Sequence, residues 1–151
     1  MNNSKIYKVL GIMTGTSIDG IDLSLIKTDG IDFVKIINEK SYQYSISNQK
    51  KIKKIIKYKP KKFADLNKYF SNYDDLITNI LIKFINKFLY QNDIQVEKID
   101  IIGLSGQTVY HNPEKRISIQ LGSADKISKY FKRPVISDFR TLDMYNGGQG
   151  A

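Results

Sequence analysis

The spacing of apolar residues constrains the fold of this chain most, because it changes from two residues near the start to three or four in the middle. Residues 5–14 (KIYKVLGIMT) end in an apolar run, and residues 21–28 (IDLSLIKT) alternate apolar and polar side chains, so we predict two strands joined by a small loop. Asp29-Gly30 indicates a hairpin turn, since glycine tolerates the positive φ that the turn requires. Residues 31–44 predict a third strand, and the chain therefore opens with an antiparallel meander.

Helical spacing follows the meander. Ser47 can cap a short lysine-rich helix over residues 48–57, which Pro60 ends because proline lacks a backbone donor. From Phe63 to about residue 91, apolar residues recur every three or four positions and predict one amphipathic helix. Aromatic residues at helical spacing usually pack in the core, so we prefer a core role for this stripe over a cofactor surface. The stripe consists of Leu66, Phe70, Tyr73, Ile77, Ile80, Phe84 and Phe88.

The second half of the chain alternates strands and helices. A continuous apolar run at residues 99–104 (IDIIGL) predicts a buried strand, and further strands are predicted at 117–121 and 134–137. Residues 125–131 suit a short helix. Strands followed by alternating strands and helices predict an α/β fold, with a mixed sheet whose first three strands are antiparallel and with helices flanking it.

Positive charge is concentrated in one segment. Lys and Arg total 24 against 15 Asp and Glu, and the net charge of +9 raises the question of an anionic partner. A solvated helix face is the interpretation we prefer. The alternative is a nucleic-acid patch, but base readout relies on arginine and the chain has only Arg116, Arg133 and Arg140, so we expect no specific nucleic-acid binding. The segment contains Lys50, Lys51, Lys53, Lys54, Lys57, Lys59, Lys61 and Lys62.

The absence of cysteine excludes disulfides, thiolate nucleophiles and zinc-thiolate sites. A reducing cytoplasm is therefore the natural setting for this chain. Its first residues lack a long apolar stretch and a small-residue cleavage site, and the apolar runs elsewhere are only a few residues long. We expect neither a signal peptide nor a membrane span.

The loop between the first two predicted strands has the composition of a phosphate site. Residues 15–20 (GTSIDG) combine two glycines, two hydroxyls and one carboxylate, so backbone donors and hydroxyls can approach a polyphosphate. Mg²⁺ accepts one carboxylate together with waters and phosphate oxygens, and Asp19 is the metal candidate. The alternative is an ordinary polar hairpin turn, for which the same residue types are typical. The motif is neither a Walker A loop nor a dinucleotide-binding glycine motif.

A second polar loop, residues 105–113 (SGQTVYHNP), follows the predicted buried strand. Strand ends are where ligand groups collect in α/β sheets, and Gln107 and Thr108 can meet the hydroxyls of a sugar. The single histidine, His111, is interpreted as structural, because one histidine cannot form a metal cluster.

A third polar loop follows the last predicted strand. Residues 138–143 (DFRTLD) bring charged groups beside a glycine run at 147–151 (GGQGA). The alternative interpretation is a surface turn in which Arg140 pairs with a carboxylate, a contact worth about 0 to 1 kcal/mol when exposed.

Taken together, the three loops resemble one family, the anhydro-N-acetylmuramic acid kinases. Any one of the strings could arise by chance, whereas three loops in the family's order, with matching spacing over the whole chain, make the resemblance specific. It rests on residues 11–13 (GIM) and 15–22 (GTSIDGID), residues 106–109 (GQTV) with His111 and Pro113, Gln120 and Gly122, and residues 138–140 (DFR) with Asp143 and 147–151.

The resemblance implies an actin-like ATPase fold of the sugar kinase, Hsp70 and actin type. The implied reaction uses ATP and Mg²⁺ to phosphorylate O6 of 1,6-anhydro-N-acetylmuramic acid while water opens the anhydro ring at C1, which gives N-acetylmuramic acid 6-phosphate in peptidoglycan recycling. In this reading Asp19 lies near Mg²⁺, and the sugar is met by Gln107, Thr108, Asp138 and Arg140. The residues implied to meet the nucleotide are Gly15, Thr16, Ser17, Ile18, Asp19, Gly20, Ile21 and Asp22.

The chain also departs from the family. Members usually carry a histidine before the Gly-Gln-Thr string, where this chain has Ser105, so a sugar contact is in doubt. Milder departures are Thr14 in place of serine and Ser123 in place of Asp or Asn. The family's catalytic base and adenine-binding half come after the position of Ala151, so the resemblance assigns no catalytic residue within this chain.

We therefore expect residues 1–151 to be the N-terminal lobe of a two-lobed kinase, truncated within its glycine-rich loop and inactive without the C-terminal lobe. The family often forms dimers, and a homodimer is one expectation. Two other classes stay open at this point. One is a nucleotide- or partner-binding lobe without chemistry, and the other is a basic nucleic-acid-binding domain that uses the lysine-rich segment.

Overall fold

The computed structural model describes residues 5–58, 60 and 62–150, apart from the side chain of Phe63. Lys59, Lys61 and Ala151, which the sequence predictions include, lie outside the described residues. The strands are β1 (Tyr7–Thr14), β2 (Gly20–Thr28), β3 (Val34–Gln43), β4 (Ile101–Leu104), β5 (Gln107–Asn112), β6 (Ile117–Leu121) and β7 (Val135–Ser137). The helices are α1 (Ile46–Lys57), α2 (Leu66–Ser71), α3 (Asp74–Gln91), α4 (Ala124–Phe131) and α5 (Thr141–Tyr145).

A mixed five-stranded sheet forms the centre, in the order β3-β2-β1-β4-β7. β1, β2 and β3 are antiparallel, whereas β4 pairs with β1 and β7 in parallel. In the middle of the sheet Leu10 is level with Leu25 on one side and Ile102 on the other. This arrangement confirms the predicted mixed sheet with its three antiparallel strands first.

One face of the sheet packs against helices. Leu10, Leu23 and Ile102 point to this face and are buried, because side chains alternate between the two faces of a strand. On the helical side, Phe70 of α2 and Phe88 of α3 are also fully buried. The aromatic stripe therefore packs in the core, as predicted.

The opposite face of the sheet is open. Its centre has little side-chain volume, because Gly11 of β1 is level with Gly103 of β4. Around these glycines lies a cleft of about 810 Å³, and Met13, Ile136 and Phe139 expose more than half of their surface nearby. An α/β sheet with parallel strands is usually covered on both faces, so this face has the character of an interior surface.

The lysines of α1 form an exposed helix face. Ile52 and Ile55 of α1 are buried, whereas the described lysines of the segment are exposed. The helix begins at Ile46, two residues earlier than predicted. The residue that caps it is Ser45 and not Ser47, because the Ser45 hydroxyl accepts a hydrogen bond from the Asn48 N–H at 3.2 Å. No helix in the described part of the chain is long and apolar enough to cross a lipid bilayer.

The prediction of one helix from residue 63 to 91 is wrong. The helix is interrupted at Asn72 and Tyr73 and restarts as α3. The restart gives the first turn of α3 two carboxylates, and the Asp74 carboxylate accepts a hydrogen bond from the Gly122 N–H at 2.8 Å. This long-range contact, which apolar spacing does not reveal, accompanies the break.

The predicted second and third loops are partly regular structure. β5 occupies residues predicted as loop and pairs with β6 in a separate two-stranded sheet, so the strand at 117–121 does not join the main sheet. Asn112 ends β5 and caps the tight turn that begins at Pro113 by accepting the Lys115 N–H at 3.0 Å. α5 forms within the predicted third loop.

Candidate functional site

The loop that joins β1 to β2, residues 15–19, has an unusual backbone at its fourth residue. Ile18 has a φ of 59°, which is a rare conformation for a β-branched residue. Its side chain is nevertheless buried in the core. Strain of this kind costs about 1–3 kcal/mol and persists where the surroundings hold the chain, so burial of Ile18 fixes the course of the loop.

The far end of this loop is held by the end of β3. The Tyr44 N–H donates a hydrogen bond to the Asp19 carbonyl oxygen at 2.8 Å. At Gly20 the two strands approach so closely that a Cβ atom would lie 2.1 Å from the Tyr42 carbonyl oxygen. Only glycine fits there without moving a strand.

The near end of the loop is held by the start of β5. The side-chain amide of Gln107 donates through Nε2 to the Gly15 carbonyl oxygen at 3.0 Å. The Thr14 hydroxyl donates to the Gly106 carbonyl oxygen at 2.7 Å. The first and second polar segments, which are about ninety residues apart in sequence, are therefore adjacent.

Asp19 presents an ionised carboxylate at the tip of the loop. The Ser17 hydroxyl donates to its Oδ1 atom at 2.7 Å, and this hydrogen bond is the main reason that the pKa of Asp19 is lowered. Asp22 is engaged with the next strand, since the Ser41 hydroxyl donates to its Oδ1 atom at 2.5 Å. Asp19 and Asp22 are thus two exposed carboxylates, each of which accepts one hydroxyl.

The donor set fits Mg²⁺ bound through a phosphate better than a cation caged by protein. Among the described residues no three histidine or acidic side chains gather into a metal cluster. Mg²⁺ keeps several waters and uses one or two carboxylates together with substrate phosphates. The exposed Asp19 carboxylate, with the Ser17 hydroxyl fixing its position, meets that requirement.

A polar cleft of about 290 Å³ lies where β4, β6 and β7 end. Asp138, directly after β7, has a φ of 62°, and its Oδ1 atom accepts a hydrogen bond from the Thr141 hydroxyl at 2.6 Å. The cleft adjoins the first loop through Ser105, whose hydroxyl accepts the Thr14 N–H at 3.3 Å. Its polar side chains are Asn67, Ser105, Ser118, Gln120, Ser137, Asp138 and Thr141.

A comparison of the sequence with known protein families gives one match. The model of the anhydro-N-acetylmuramic acid kinase family matches residues 7–151. The chain belongs to this family. Its members have the sugar-kinase type of actin-like fold, which agrees with the mixed sheet described above.

Curated relatives carry the same family name. Anhydro-N-acetylmuramic acid kinase from Bradyrhizobium diazoefficiens is 35% identical over 94% of this chain and 39% of the relative. The kinase from Pelagibacter ubique is 34% identical over 97% of the chain, and that from Nitrobacter winogradskyi is 33% identical over 94%. The chain thus spans about two fifths of the length of these relatives.

The family resemblance implies sugar contacts by four residues, and these have different surroundings in the structure. Asp138 lines the polar cleft. Gln107 and Thr108 are buried and do not line the cleft. Arg140 donates through Nη1 to the Gly150 carbonyl oxygen at 2.5 Å, so the alternative in which it pairs with a carboxylate is not found among the described residues. The structure therefore brings Asp138 to the cleft, and direct sugar contacts by all four residues stay predictions.

Some residues of the site were not predicted from the sequence. Tyr44, which supports both ends of the first loop, follows a strand and has no motif that distinguishes it from other tyrosines. Asn67 comes from α2, and only the tertiary fold brings it to the cleft. His111 lies 3.0 Å from the Ser118 hydroxyl through Nδ1, which is consistent with the structural role predicted for it.

Tyr44 should titrate at unusually high pH. Burial and then the nearby Asp19 carboxylate raise its pKa. A raised pKa means that the folded chain keeps this proton after the unfolded chain has lost it, so stability falls as pH rises above the ordinary tyrosine pKa of about 10. The difference in phenolate ultraviolet absorbance between wild type and Tyr44→Phe measures this group. A difference that develops near pH 10 would contradict the expected shift.

Proposed function

We propose that this chain is the N-terminal lobe of a cytoplasmic sugar kinase that acts on 1,6-anhydro-N-acetylmuramic acid. In the proposed reaction the γ-phosphoryl group of ATP goes to O6 of the sugar, and one water opens the anhydro ring at C1. The products are ADP and N-acetylmuramic acid 6-phosphate. The C-terminal lobe is the partner that completes the active site.

One observation carries this proposal. The Gly15–Asp19 loop is fixed at both ends beside a polar cleft, by Gln107 and Thr14 at its near end and by Tyr44 at its far end. A strained polar loop held in this way is typical of a functional site rather than of an ordinary hairpin turn. The family match over residues 7–151 supports a kinase as the function of that site.

In the proposal, different residues of the chain contact the phosphates and the sugar. The backbone N–H groups of the loop and the Thr16 hydroxyl bind phosphate oxygens, while the Ser17 hydroxyl holds the Asp19 carboxylate and Asp19 faces Mg²⁺. Asp138 orients the sugar through its carboxylate. When bound, ATP and Mg²⁺ supply the phosphoryl group and the positive charge that offsets the charge of the transfer. The loop contributes positioning and electrostatic stabilisation.

Asp19→Asn tests the phosphate side of the proposal. Asparagine retains an oxygen that accepts the Ser17 hydroxyl but lacks the negative charge, so the loop should keep its shape. We expect the Mg²⁺-dependent part of the ATP affinity to fall about tenfold, the size of one lost charge-assisted contact. Calorimetric titration with ATP, in the presence and absence of Mg²⁺, measures this quantity.

The matched control is Asp29→Asn. Asp29 is an exposed carboxylate whose pKa is also lowered by hydrogen bonds, and it lies at the opposite end of β2. Its replacement removes the same charge from the same protein and should leave the Mg²⁺-dependent affinity unchanged. Equal losses in the two variants would mean that only net charge matters, and the assignment of Asp19 would be wrong.

A further inference from the structure

Gln107 is fully buried, and its side-chain amide makes three polar contacts inside the protein. Its Nε2 atom donates to the Gly15 carbonyl oxygen at 3.0 Å and approaches the Thr108 carbonyl oxygen at 3.5 Å. Its Oε1 atom accepts the Tyr44 hydroxyl at 3.4 Å. A side chain buried only for packing would be apolar, because an unpaired buried amide is costly.

The orientation of this amide is determined by its partners. An amide nitrogen can only donate, and it faces carbonyl oxygens that can only accept. On the other side, the Tyr44 hydroxyl carries its proton at neutral pH and is available as a donor to Oε1. A flipped amide would place the Gln107 oxygen against the Gly15 carbonyl oxygen, so that two acceptors would face each other.

Tyr44 connects this amide to the far end of the loop. Its backbone N–H donates to the Asp19 carbonyl oxygen, while its hydroxyl meets Gln107, which in turn bonds Gly15. The first and last residues of the loop are thus joined through two side chains. Together with the loop backbone, these hydrogen bonds form a closed ring. Thr16 and Ser17 in the middle of the loop are exposed.

We propose that Gln107, oriented by Tyr44, is a positioning residue that sets the shape of the Gly15–Asp19 loop for its phosphate ligand. This inference rests on the proposed function. The role inferred for Gln107 is to hold the loop in place. The family resemblance instead implies that Gln107 contacts the sugar directly. The amide acts through the loop and does not touch the reacting atoms.

Tyr44→Phe tests this inference with the least disturbance. It removes only the hydroxyl that orients Gln107. Tyr42→Phe is a matched control, since Tyr42 lies on the same face two residues earlier, also packs against Phe84, and donates its hydroxyl to Gln91 at 2.7 Å. Each variant loses one hydroxyl oxygen from a tyrosine that packs against Phe84.

Amide hydrogen exchange and Mg·ATP titration provide the two measurements. In Tyr44→Phe, exchange at residues 16–19 should rise several-fold and the Mg·ATP affinity should fall by a similar factor, because loop closure becomes less favourable. In Tyr42→Phe, both quantities should stay at the wild-type value. Gln107→Leu should increase loop exchange about tenfold, since it leaves the Gly15 carbonyl oxygen without its buried donor.

The outcomes separate this inference from the proposed function. If wild type binds no Mg·ATP, either alone or mixed with the C-terminal part of a relative, the phosphate loop itself is wrong and the inference fails with it. If the wild type binds but Tyr44→Phe and Tyr42→Phe behave alike, the positioning role alone is overturned. A Gln107→Leu chain that does not fold leaves the tyrosine pair to decide between these results.

Discussion

The chain by itself should produce no N-acetylmuramic acid 6-phosphate from 1,6-anhydro-N-acetylmuramic acid and ATP. Its length corresponds to about two fifths of the curated kinases, and the family resemblance locates the catalytic base and the adenine-binding half in the remainder. The polar cleft holds Asp138, which the proposal assigns to the sugar, and the loop holds Asp19, which it assigns to Mg²⁺. Asp22, the other carboxylate of the first polar segment, accepts the Ser41 hydroxyl, and the family resemblance directs it to the nucleotide, so these assignments leave none of the three to activate the water that attacks C1.

Turnover should return when the C-terminal part of a relative is supplied as a separate chain. The Bradyrhizobium diazoefficiens kinase is a suitable donor at 35% identity, truncated to the region that follows the match. ADP release and formation of the sugar phosphate are measured together, because ADP alone would also report ATP hydrolysis. The matched control is the same mixture with Asp19→Asn, which should be at least tenfold slower.

Two results would contradict this prediction in different ways. Turnover by the isolated chain would show that the described residues suffice for the chemistry. Binding of Mg·ATP by the isolated chain, with no turnover in any mixture that contains a folded C-terminal partner, would favour the alternative of a binding lobe without chemistry.

The open face of the sheet is the natural place for the added polypeptide to pack. Met13, Ile136 and Phe139 expose apolar surface around the paired glycines Gly11 and Gly103. Covering such a surface releases water and favours association. Protection of β1 and β4 amides from exchange on mixing would therefore accompany the restored turnover.

The antiparallel meander could be predicted because its signals are local. Alternation in residues 21–28 and the Asp29-Gly30 turn determine which side chains face the core, and the structure has Ile21, Leu23 and Leu25 buried as this alternation requires. Asp29 also stabilises the turn locally, because its carboxylate accepts hydrogen bonds from the N–H groups of three of the next four residues. Such interactions act within a few residues and are visible in the sequence.

The elements that were predicted wrongly depend on distant partners. β5 begins with Gln107 and Thr108, two polar residues that lack the apolar pattern of a buried strand, yet both are buried and pair with β6. The break before α3 accompanies a hydrogen bond from Gly122, forty-eight residues away. Polar residues in a sequence suggest surface, and only the folded chain shows that Gln107 uses its polarity inside the protein.

Gly20→Ala should destabilise the chain by about 3 kcal/mol or more, at the upper end of the cost of overpacking. The new Cβ atom would lie 2.1 Å from the Tyr42 carbonyl oxygen, which is backbone of the adjacent strand and cannot rotate away. Relief requires β2 and β3 to separate where the Tyr44 N–H bonds Asp19. The same movement would also release the far end of the loop, so Mg·ATP affinity should fall with stability.

Gly11→Ala is the matched control for this substitution. Gly11 also lies in a central strand, but a Cβ atom there would meet only the Ser24 carbonyl oxygen at 3.7 Å, an ordinary contact. Alanine restricts the unfolded chain more than glycine does, so this variant should be as stable as wild type or up to about 1 kcal/mol more stable. Urea unfolding of the three proteins measures the difference, since both variants add the same methyl group. If Gly20→Ala were as stable as Gly11→Ala, the close approach of β2 and β3 would not constrain the loop, and the anchoring of Asp19 by β3 would have to be abandoned.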